Sequence, residues 1–163
     1  MAQISRMTTK GMKTGAFKGG STRKGWENTT EFHGFDYVVS TAFDANRGSS
    51  SGKRRHDPVT VVAQIDKATP LYWNSLVTNE VLTTVKLDFF KPKPGGSSEE
   101  NYYTVTLTNA TITSCRQFTE KESTHSESTD TYEQFEVKFA FQKIDVTWLD
   151  GGITGSDDWN VVA

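Results

Sequence analysis

Apolar and polar residues alternate along much of the chain, and this alternation predicts β-strands because successive side chains of a strand point to opposite faces. The clearest example runs from Thr131 to Trp148 and predicts one long strand. Its apolar side chains stand at odd positions as far as Phe141 and at even positions from Ile144 onward. A strand that changes face in this way bends or packs against two partners, as strands do at the corners of barrels and sandwiches.

Shorter segments of the same character predict further strands and a mostly β fold. They cover residues 2–8, 30–43, 58–65, 81–90 and 102–114. The apolar phase of the last segment moves between Leu107 and Ala110, which predicts a β-bulge. Strands in this number, joined by turn-rich segments, favour a barrel or a sandwich. No internal repeat or boundary is visible, so residues 1–163 are expected to form a single domain.

One short helix and two long connections complete the pattern. Thr69 suits the helix N-cap and Pro70 the first helical position, and the helix is predicted to continue to Val77. The residues expected on its packed face are Leu71, Tyr72, Ser75 and Leu76. Residues 44–57 predict an extended loop, because a flexible Gly-Ser run precedes Lys-Arg-Arg-His. Residues 117–131 predict a polar, acidic loop.

Composition adds that the core is modest. Hydrophobic residues make up 34% of the 163 residues and aromatic residues 12%, which suits thin β layers whose surface is completed by partner subunits. The net charge of −2 hides an asymmetry, since residues 1–60 carry +5 and residues 61–163 carry −7. Such a division is typical of a basic arm or of oppositely charged faces, and ordinary variation along a soluble surface explains it equally well.

Neither a disulfide nor a membrane span is predicted. Cys115 is the one cysteine, and it is expected to be a small packing residue in a reducing cytoplasm. No segment approaches the ~18 consecutive apolar residues of a membrane span. The N-terminus lacks the apolar segment of a secretory signal, so export would have to follow a route that reads no cleavable signal.

The residue patterns of common enzyme sites are missing, so no catalytic function, cofactor or metal is expected. His33, His56 and His125 lack metal-type spacing, and the sequence has no HExxH or paired cysteines. It has no GxSxG nucleophile elbow. Residues 48–53 resemble a phosphate-binding loop, but three residues instead of four separate the glycines and Arg54 follows the lysine.

A basic cluster near the predicted loop is open to two interpretations. Its members are Arg47, Lys53, Arg54, Arg55 and the adjacent His56. With the aromatic residues nearby in sequence, it could bind the backbone of a single-stranded nucleic acid. It could instead contact an acidic surface of another copy, which the acidic remainder of the chain favours. The candidate acids are Glu120, Glu122, Glu127, Asp130, Glu133, Asp157 and Asp158.

The order of several short motifs is more specific than any one of them. The Gly/Ser loop ends in Gly-Lys-Arg-Arg-His, and Asp-Lys-Ala-Thr-Pro leads into the helix at residues 66–70. Lys-Ile-x-x-x-Trp follows at residues 143–148, and Ser-Asp-Asp-Trp at residues 156–159. In this combination the chain resembles the Hcp (haemolysin-coregulated protein) family, the tube subunit of the bacterial type VI secretion system. The resemblance covers about residues 30–160, whereas residues 1–26 depart from the family's more apolar first strand.

The resemblance implies a β-barrel of two antiparallel sheets with one short flanking α-helix and a long extended loop. It also implies six copies in a ring, and rings stacked into a hollow tube that a contractile sheath expels with its spike. The lumen would carry effector proteins, and the tube would assemble in the bacterial cytoplasm before secretion without a cleavable signal. No nucleic acid and no membrane insertion are implied. The alternatives are a nucleic-acid-binding β-barrel and a tail-tube protein of a phage or related contractile particle.

The same resemblance assigns expected roles to individual residues. The loop would contact the adjacent ring, pairing Arg47, Lys53, Arg54, Arg55 and His56 with acids such as Glu120, Glu122, Asp157 and Asp158. Asp36 and Val38, in a strand that corresponds to the inner wall, are possible lumen-facing positions. The exposed face of the strand from Thr131 to Trp148 is expected to help seal one subunit to the next.

Overall fold

The structure is a computed structural model that describes residues 5–119 and 133–159. In these ranges the chain forms one helix and eleven strands, which are β1 (Ser5–Gly11), β2 (Gly15–Ala16), β3 (Thr30–Asp36), β4 (Val39–Asp44), β5 (Ser49–His56), β6 (Val59–Gln64), α1 (Thr69–Thr78), β7 (Leu82–Pro92), β8 (Glu99–Thr119), β9 (Glu133–Ala140), β10 (Lys143–Trp148) and β11 (Ile153–Asp158). The strands form a nine-stranded sheet and a separate two-stranded sheet. The fold is therefore mostly β with two sheets and one short helix, which confirms the predicted class.

Six strands of the larger sheet pair in a closed cycle. Antiparallel pairings lead from β8 through β7, β1, β3, β6 and β9 back to β8. The hairpin of β10 and β11 extends the sheet beside the first half of β8, and β2 pairs with β1. Closure removes free edges from these six strands, and within the described residues the outer edge of β11 stays unpaired.

The inward faces of the cycle form the core. Fully buried pairs lie between β6 and β9, where Val59, Val61 and Ala63 stand opposite Phe139, Val137 and Phe135. All six side chains are fully buried, as the alternation of apolar residues predicts. Removing such apolar surface from water is the main contribution to the stability of the barrel.

Helix α1 packs on the barrel through Tyr72, which is fully buried. The Tyr72 hydroxyl lies 2.8 Å from the Thr9 hydroxyl, and the ring centroid lies 5.7 Å from that of Phe135. Burial raises the pKa of Tyr72, so its hydroxyl stays neutral and can share that hydrogen bond. The predicted packed face is correct, since Tyr72 and Ser75 are buried and Leu71 and Leu76 are partly buried against the core.

The start of the helix differs from the prediction. Ala68 occupies the N-cap position and makes no side-chain cap, so the predicted N-cap role of Thr69 was wrong. The Thr69 hydroxyl instead accepts a hydrogen bond from the Asp66 backbone N–H at 3.0 Å. The Asp66 carboxylate accepts one from the Ala68 N–H at 2.9 Å. These two contacts fix the turn that enters the helix, and Pro70 stands in its first turn as predicted.

The long strand predicted from Thr131 to Trp148 is divided in two, so that prediction was wrong in its continuity. β9 and β10 nevertheless pair with the same strand, β8, and the pairs on the two sides of the division share one register. Phe139 lies opposite Ile112. Lys143, four residues further along, lies opposite Thr108, four residues further back. The segment is therefore a single ladder with one interruption.

A hydrogen-bonded corner forms that interruption. Asn109 has a left-handed backbone with φ of 50°, a conformation that asparagine adopts more readily than most residues. Its side-chain amide donates to Gln142 Oε1 at 2.9 Å, which ties the two bending strands together. The phase change at Leu107–Ala110, predicted as a bulge, thus belongs to the corner. The register shift of β8 against β9 comes later, between Ile112 and Ser114.

Residues 5–26 are more ordered than the sequence predicts. β1 extends beyond the strand predicted at residues 2–8, and a buried acid holds the turn after it. The Glu80 carboxylate accepts hydrogen bonds from the backbone N–H groups of Lys13 and Thr14, both at 2.7 Å. Burial alone would raise the pKa of Glu80, but the hydrogen bonds from Thr14 and Lys13 outweigh it and lower the pKa. A charged carboxylate therefore fixes this turn.

Candidate protein interface

A β-hairpin stands where the sequence predicts the loop 44–57. β4 and β5 pair from Val39 to His56, and we call residues 39–56 the arm. At its turn the Gly48 N–H donates to the Asp44 carbonyl at 2.9 Å, and the φ of 64° at Gly48 favours glycine. The loop prediction was wrong because pairing across this turn satisfies the backbone of a Gly-Ser run that has no apolar alternation. The strand predicted over residues 30–43 is likewise divided, into β3 and β4.

Arg54 and His56 anchor the base of the arm to Asp157 of β11. His56 Nε2 lies 2.6 Å from Asp157 Oδ2, and its Nδ1 lies 2.6 Å from the Tyr37 hydroxyl. Arg54 Nε donates to the same Asp157 oxygen, and a second nitrogen of Arg54 donates to the Asp158 carbonyl at 3.1 Å. The His56 ring also lies 5.0 Å from the Trp159 ring. The base is thus held by charge and by aromatic packing.

The electrostatics of this anchor favour a charged Asp157. The hydrogen bonds from Arg54 and His56 hold the pKa of the Asp157 carboxyl below its usual range. Burial raises the pKa of the neighbouring Tyr37, so that side chain stays a neutral hydroxyl. The anchor therefore joins the Asp157 carboxylate to Arg54 and to the His56 ring, and the His56 ring to the Tyr37 hydroxyl.

Replacing Asp157 by asparagine is expected to loosen the arm without unfolding the barrel. Asparagine keeps the size of the side chain but loses the charge that Arg54 contacts. Backbone amides of residues 39–56 should exchange hydrogen faster, while those of β7 keep the wild-type rate, as measured by hydrogen exchange with mass spectrometry. Asp145→Asn is the control, because Asp145 pairs with Lys143 at 3.7 Å and makes no described contact with the arm.

Acid should loosen the arm of the wild-type protein in the same way. Because the folded-state pKa of Asp157 is lowered, its stabilising contribution is complete above the ordinary carboxyl pKa and is lost as the pH falls through the lowered value. Exchange rates corrected for the intrinsic effect of pH should therefore rise in the arm before they rise in β7. An arm that exchanges equally slowly in Asp157→Asn and in the wild type would contradict the anchor.

Beyond its base, the arm presents cations and apolar side chains to solvent. Arg47, Lys53 and Arg55 are exposed. Arg47 lies 3.8 Å from Asp44, and Arg55 lies 3.4 Å from Asp57. Phe43, close to the turn, is 70% exposed. Exposed ion pairs of this kind are weak, so the cations can exchange partners.

The acids predicted to face the arm divide into two groups. Glu120 and Glu122 lie outside the described residues, as do Glu127 and Asp130, although residues 117–119 of the predicted acidic loop belong to β8. Glu133 is exposed at the start of β9. Asp157 contacts Arg54 and His56 within one chain. The predicted contacts of the five arm residues with another copy stay predictions, and Arg54 and His56 contribute to the anchor.

The two residues proposed to face a lumen lie beside the arm. Asp36 ends β3, and Val38 is exposed in the connection to β4. Both line a shallow cavity of about 320 Å³, whose wall also includes Arg55, Asp57 and Lys138. Their position on the outer face of the barrel is compatible with a lumen, and the assignment stays a prediction.

An exposed aromatic patch at the far end of β10 was missed by the sequence pattern. We define this patch as Tyr102, Trp148 and Ile153. Trp148 is 42% exposed and Ile153 69% exposed, and they stand directly opposite each other on β10 and β11. The rings of Trp148 and Tyr102 lie 5.7 Å apart, with the Lys91 amine 5.6 Å from the Trp148 ring. Trp148 continues the apolar phase of β10, so the alternation alone predicts it on a buried face.

Two further observations on the described residues concern metal binding and membrane insertion. In residues 5–119 and 133–159, no three His, Cys, Asp or Glu side chains are grouped so that they could hold a metal ion. The helix in this part of the chain is neither long nor apolar enough to span a membrane.

Comparisons with known proteins agree with this architecture. The family model described as "Type VI secretion system effector, Hcp" matches residues 7–148. The chain is 30% identical over 153 residues to the "Major exported protein" of Pseudomonas aeruginosa, which covers 94% of this chain and 88% of that protein. The fold of this chain is similar to that of a solved "Hcp protein". The TM-score is 0.89, the identity is 25%, and the match covers 99% of this chain and 100% of that chain. It is also similar to the "Secreted protein Hcp3 from Pseudomonas aeruginosa", with a TM-score of 0.75, 25% identity and coverage of 98% and 100%.

The fold and the anchored hairpin define a class of antiparallel β proteins with two sheets, one short helix and an exposed hairpin held at its base. Within that class, the chain belongs to the Hcp family of the type VI secretion system. The family consists of structural secretion-system proteins and is not known as a family of enzymes. Its membership connects the chain with an exported relative and with assembly into a secretion apparatus.

Proposed function

We propose that this chain is the subunit of the inner tube of a type VI secretion system. Six copies form a ring, and rings stack into a hollow tube. Contraction of a surrounding sheath expels the tube together with its spike. The lumen carries effector proteins, with Asp36 and Val38 on its wall. Assembly takes place in the bacterial cytoplasm before export.

The anchored arm is the observation that carries this proposal. A hairpin fixed at its base by Asp157 projects Phe43 and Arg47 away from the contacts that hold it. An ordered projection with exposed apolar and charged side chains is suited to a contact with another folded surface. Contacts between unlike surfaces of identical copies propagate without closing, which is the symmetry that a stack of rings requires.

The nucleic-acid alternative has less support. Arg54 pairs with Asp157 within the chain, Arg55 lies 3.4 Å from Asp57 and Arg47 lies 3.8 Å from Asp44. Three of the four basic residues of the predicted cluster therefore already have acidic neighbours. Neutralising phosphates needs several cations on one surface. The arm is therefore better suited to a mixed apolar and charged protein contact.

Reversing the exposed charges of the arm is expected to weaken stacking while rings persist. The variant Arg47→Glu, Lys53→Glu, Arg55→Glu leaves the Arg54–Asp157 anchor intact and places like charges against an acidic surface. At low salt we expect the tendency of rings to stack to fall by about tenfold or more, since several exposed charges change sign with little screening. Electron microscopy and sedimentation velocity distinguish rings from tubes.

A matched control changes the same charge elsewhere. Lys10→Glu, Lys24→Glu, Lys67→Glu alters three exposed lysines outside the arm and should stack like the wild type. Tubes as abundant in the arm variant as in this control would contradict the role of the arm between rings. A wild-type protein that stays monomeric under all assembly conditions would contradict the tube itself.

A further inference from the structure

Taking the proposed stacking of copies as given, we infer that the aromatic patch of one copy receives the tip of the arm of another. The patch is Tyr102, Trp148 and Ile153, and the tip presents Phe43 and Arg47. Both surfaces consist of side chains that a single copy leaves in contact with water. The contact would bury them together and would join one ring to the next.

The patch has the properties of a preorganised anchor site. Trp148 and Ile153 form a directly opposed cross-strand pair, so their side chains lie on one face of the hairpin. The Tyr102 ring meets the Trp148 ring at 70°, and the Lys91 amine lies 5.4 Å from the Tyr102 ring and 5.6 Å from the Trp148 ring. An aromatic side chain whose rotamer is already fixed loses little conformational freedom on binding, which is typical of residues that dominate interface energies.

The tip of the arm offers a matching side chain. Phe43 is 70% exposed on β4, so it does not pack on the patch of its own chain. The arm is paired along both strands and anchored at its base, which holds Phe43 on an ordered element. Phenylalanine against tryptophan and isoleucine gives apolar burial and an aromatic contact.

Lys91, the cation at the patch, has Glu100 as an acidic neighbour at 3.9 Å, and the hairpin beside the patch is acidic. The hairpin of β10 and β11, from Lys143 to Asp158, carries four aspartates and one lysine. Asp150 lies in the exposed turn of this hairpin, two residues from Trp148. Arg47 lies in the turn of the arm, four residues from Phe43. When the apolar side chains are in contact, we assign Asp150 of one copy as the acidic partner of Arg47 of the other. This charge pair favours the contact of the arm with the patch over a contact between two arms.

The positions of the two surfaces on one molecule explain why the contact extends. Asp157, which anchors the arm, pairs with Ile144 at one end of β10. Trp148 lies at the other end, about 13 Å away at ~3.3 Å per residue. The base of the donor arm and the acceptor surface therefore stand at opposite ends of the same hairpin, and the two surfaces are different parts of the molecule. A contact between them is head-to-tail, so it repeats from copy to copy.

Cross-linking between two single-cysteine variants tests the contact directly. In a Cys115→Ser background, one protein carries Ala45→Cys, in the exposed turn of the arm, and the other carries Thr154→Cys, next to Ile153, so the side chains of the contact are kept. The two are mixed under assembly conditions and treated with a short bis-maleimide, and mass spectrometry identifies the linked positions. Because each chain has a single cysteine, every link between positions 45 and 154 joins two copies. A mixture of Ala45→Cys with Val77→Cys, an exposed position on α1, is the control.

We expect links between positions 45 and 154 to exceed links between positions 45 and 77 by about tenfold or more, since a docked contact greatly raises the local concentration. Tubes that form with equal yields of the two links would overturn the contact while leaving the proposed tube intact. Rings that neither stack nor give the 45–154 link would also overturn it. Wild-type protein that forms no rings would contradict the proposed function, and the inferred contact would fail together with it.

A substitution at the patch supplies a second measurement. Ile153→Ser removes an exposed apolar side chain, so the barrel should keep its stability while stacking weakens by about tenfold to thirtyfold, the usual loss when a central contact is truncated. Normal tubes in both Ile153→Ser and Trp148→Ser would assign the patch to a different partner, such as a sheath or effector protein, and would refute the contact between copies.

Discussion

Replacing Arg6 by methionine is expected to lower the free energy of unfolding by about 3–5 kcal/mol, the usual cost of leaving a buried charge without its partner. Arg6 Nε lies 3.0 Å from Asp88 Oδ2, and the Asp88 side chain is only 2% exposed. Methionine keeps the apolar stem of the arginine but removes the closest cation of the carboxylate. The neutral donors Thr104 at 2.9 Å and Asn101 at 3.2 Å remain, and the half-exposed Lys86 amine comes no closer than 3.9 Å.

The arginine has further contacts that no lysine could reproduce together. Its Nη1 donates to the Gly25 carbonyl at 2.9 Å, and its guanidinium lies 5.1 Å from the Phe90 ring centroid. Arg6→Lys should therefore fall between the wild type and Arg6→Met. Urea unfolding at neutral pH, at concentrations where copies do not assemble, measures all three.

A double variant separates the loss of the ion pair from a general disturbance of β1. Arg6→Met with Asp88→Leu removes both charges, and it should recover much of the stability lost in Arg6→Met alone because no buried charge remains. A single variant that costs less than about 1 kcal/mol would place this pair among ordinary surface ion pairs and refute the prediction.

Truncating Tyr72 to alanine is expected to cost about 3–5 kcal/mol, as for other large buried rings. Tyr72 is the side chain that fastens α1 to the barrel, with its ring 5.0 Å from the Phe17 ring and 5.7 Å from that of Phe135. Alanine leaves a cavity between helix and sheet that these rings cannot fill without moving. Circular dichroism during urea unfolding measures the loss.

Tyr72→Phe isolates the hydroxyl from the ring. It keeps the packing and leaves the buried Thr9 hydroxyl without its partner at 2.8 Å, so the expected cost is about 1–2 kcal/mol. Equal costs for the alanine and phenylalanine variants would mean that the hydrogen bond, and not the packing, holds the helix. Trp73, which is exposed on the same helix, provides a fluorescence signal for the helix in both variants.

The sequence predicts the β class and the corner because both leave a signal in apolar alternation. The phase of β8 changes between Leu107 and Ala110, and that of the segment ending at Trp148 changes after Phe141. In the structure the two phase changes lie at the same corner, where Asn109 contacts Gln142. Alternation reports which face is buried, so it locates a bend, but it does not show that two distant strands bend together.

The arm and its anchor could not be predicted from apolar alternation, for a different reason. A run of glycine and serine has the same pattern in a flexible loop and in a hairpin, and only pairing across the turn distinguishes them. The anchor joins Arg54 to Asp157, which are more than 100 positions apart. The sequence predicted both as members of an ion pair, yet nothing in it distinguishes a contact within one copy from a contact between copies.

The separation between Arg54 and Asp157 also orders events during synthesis. At about 5–20 residues per second, a ribosome needs roughly 5–20 seconds to add the residues that lie between the two. Throughout that interval the nascent arm has no carboxylate to hold its base. A chain still attached to the ribosome therefore presents the arm unfixed, and the base of the arm is held only once β11 has been made.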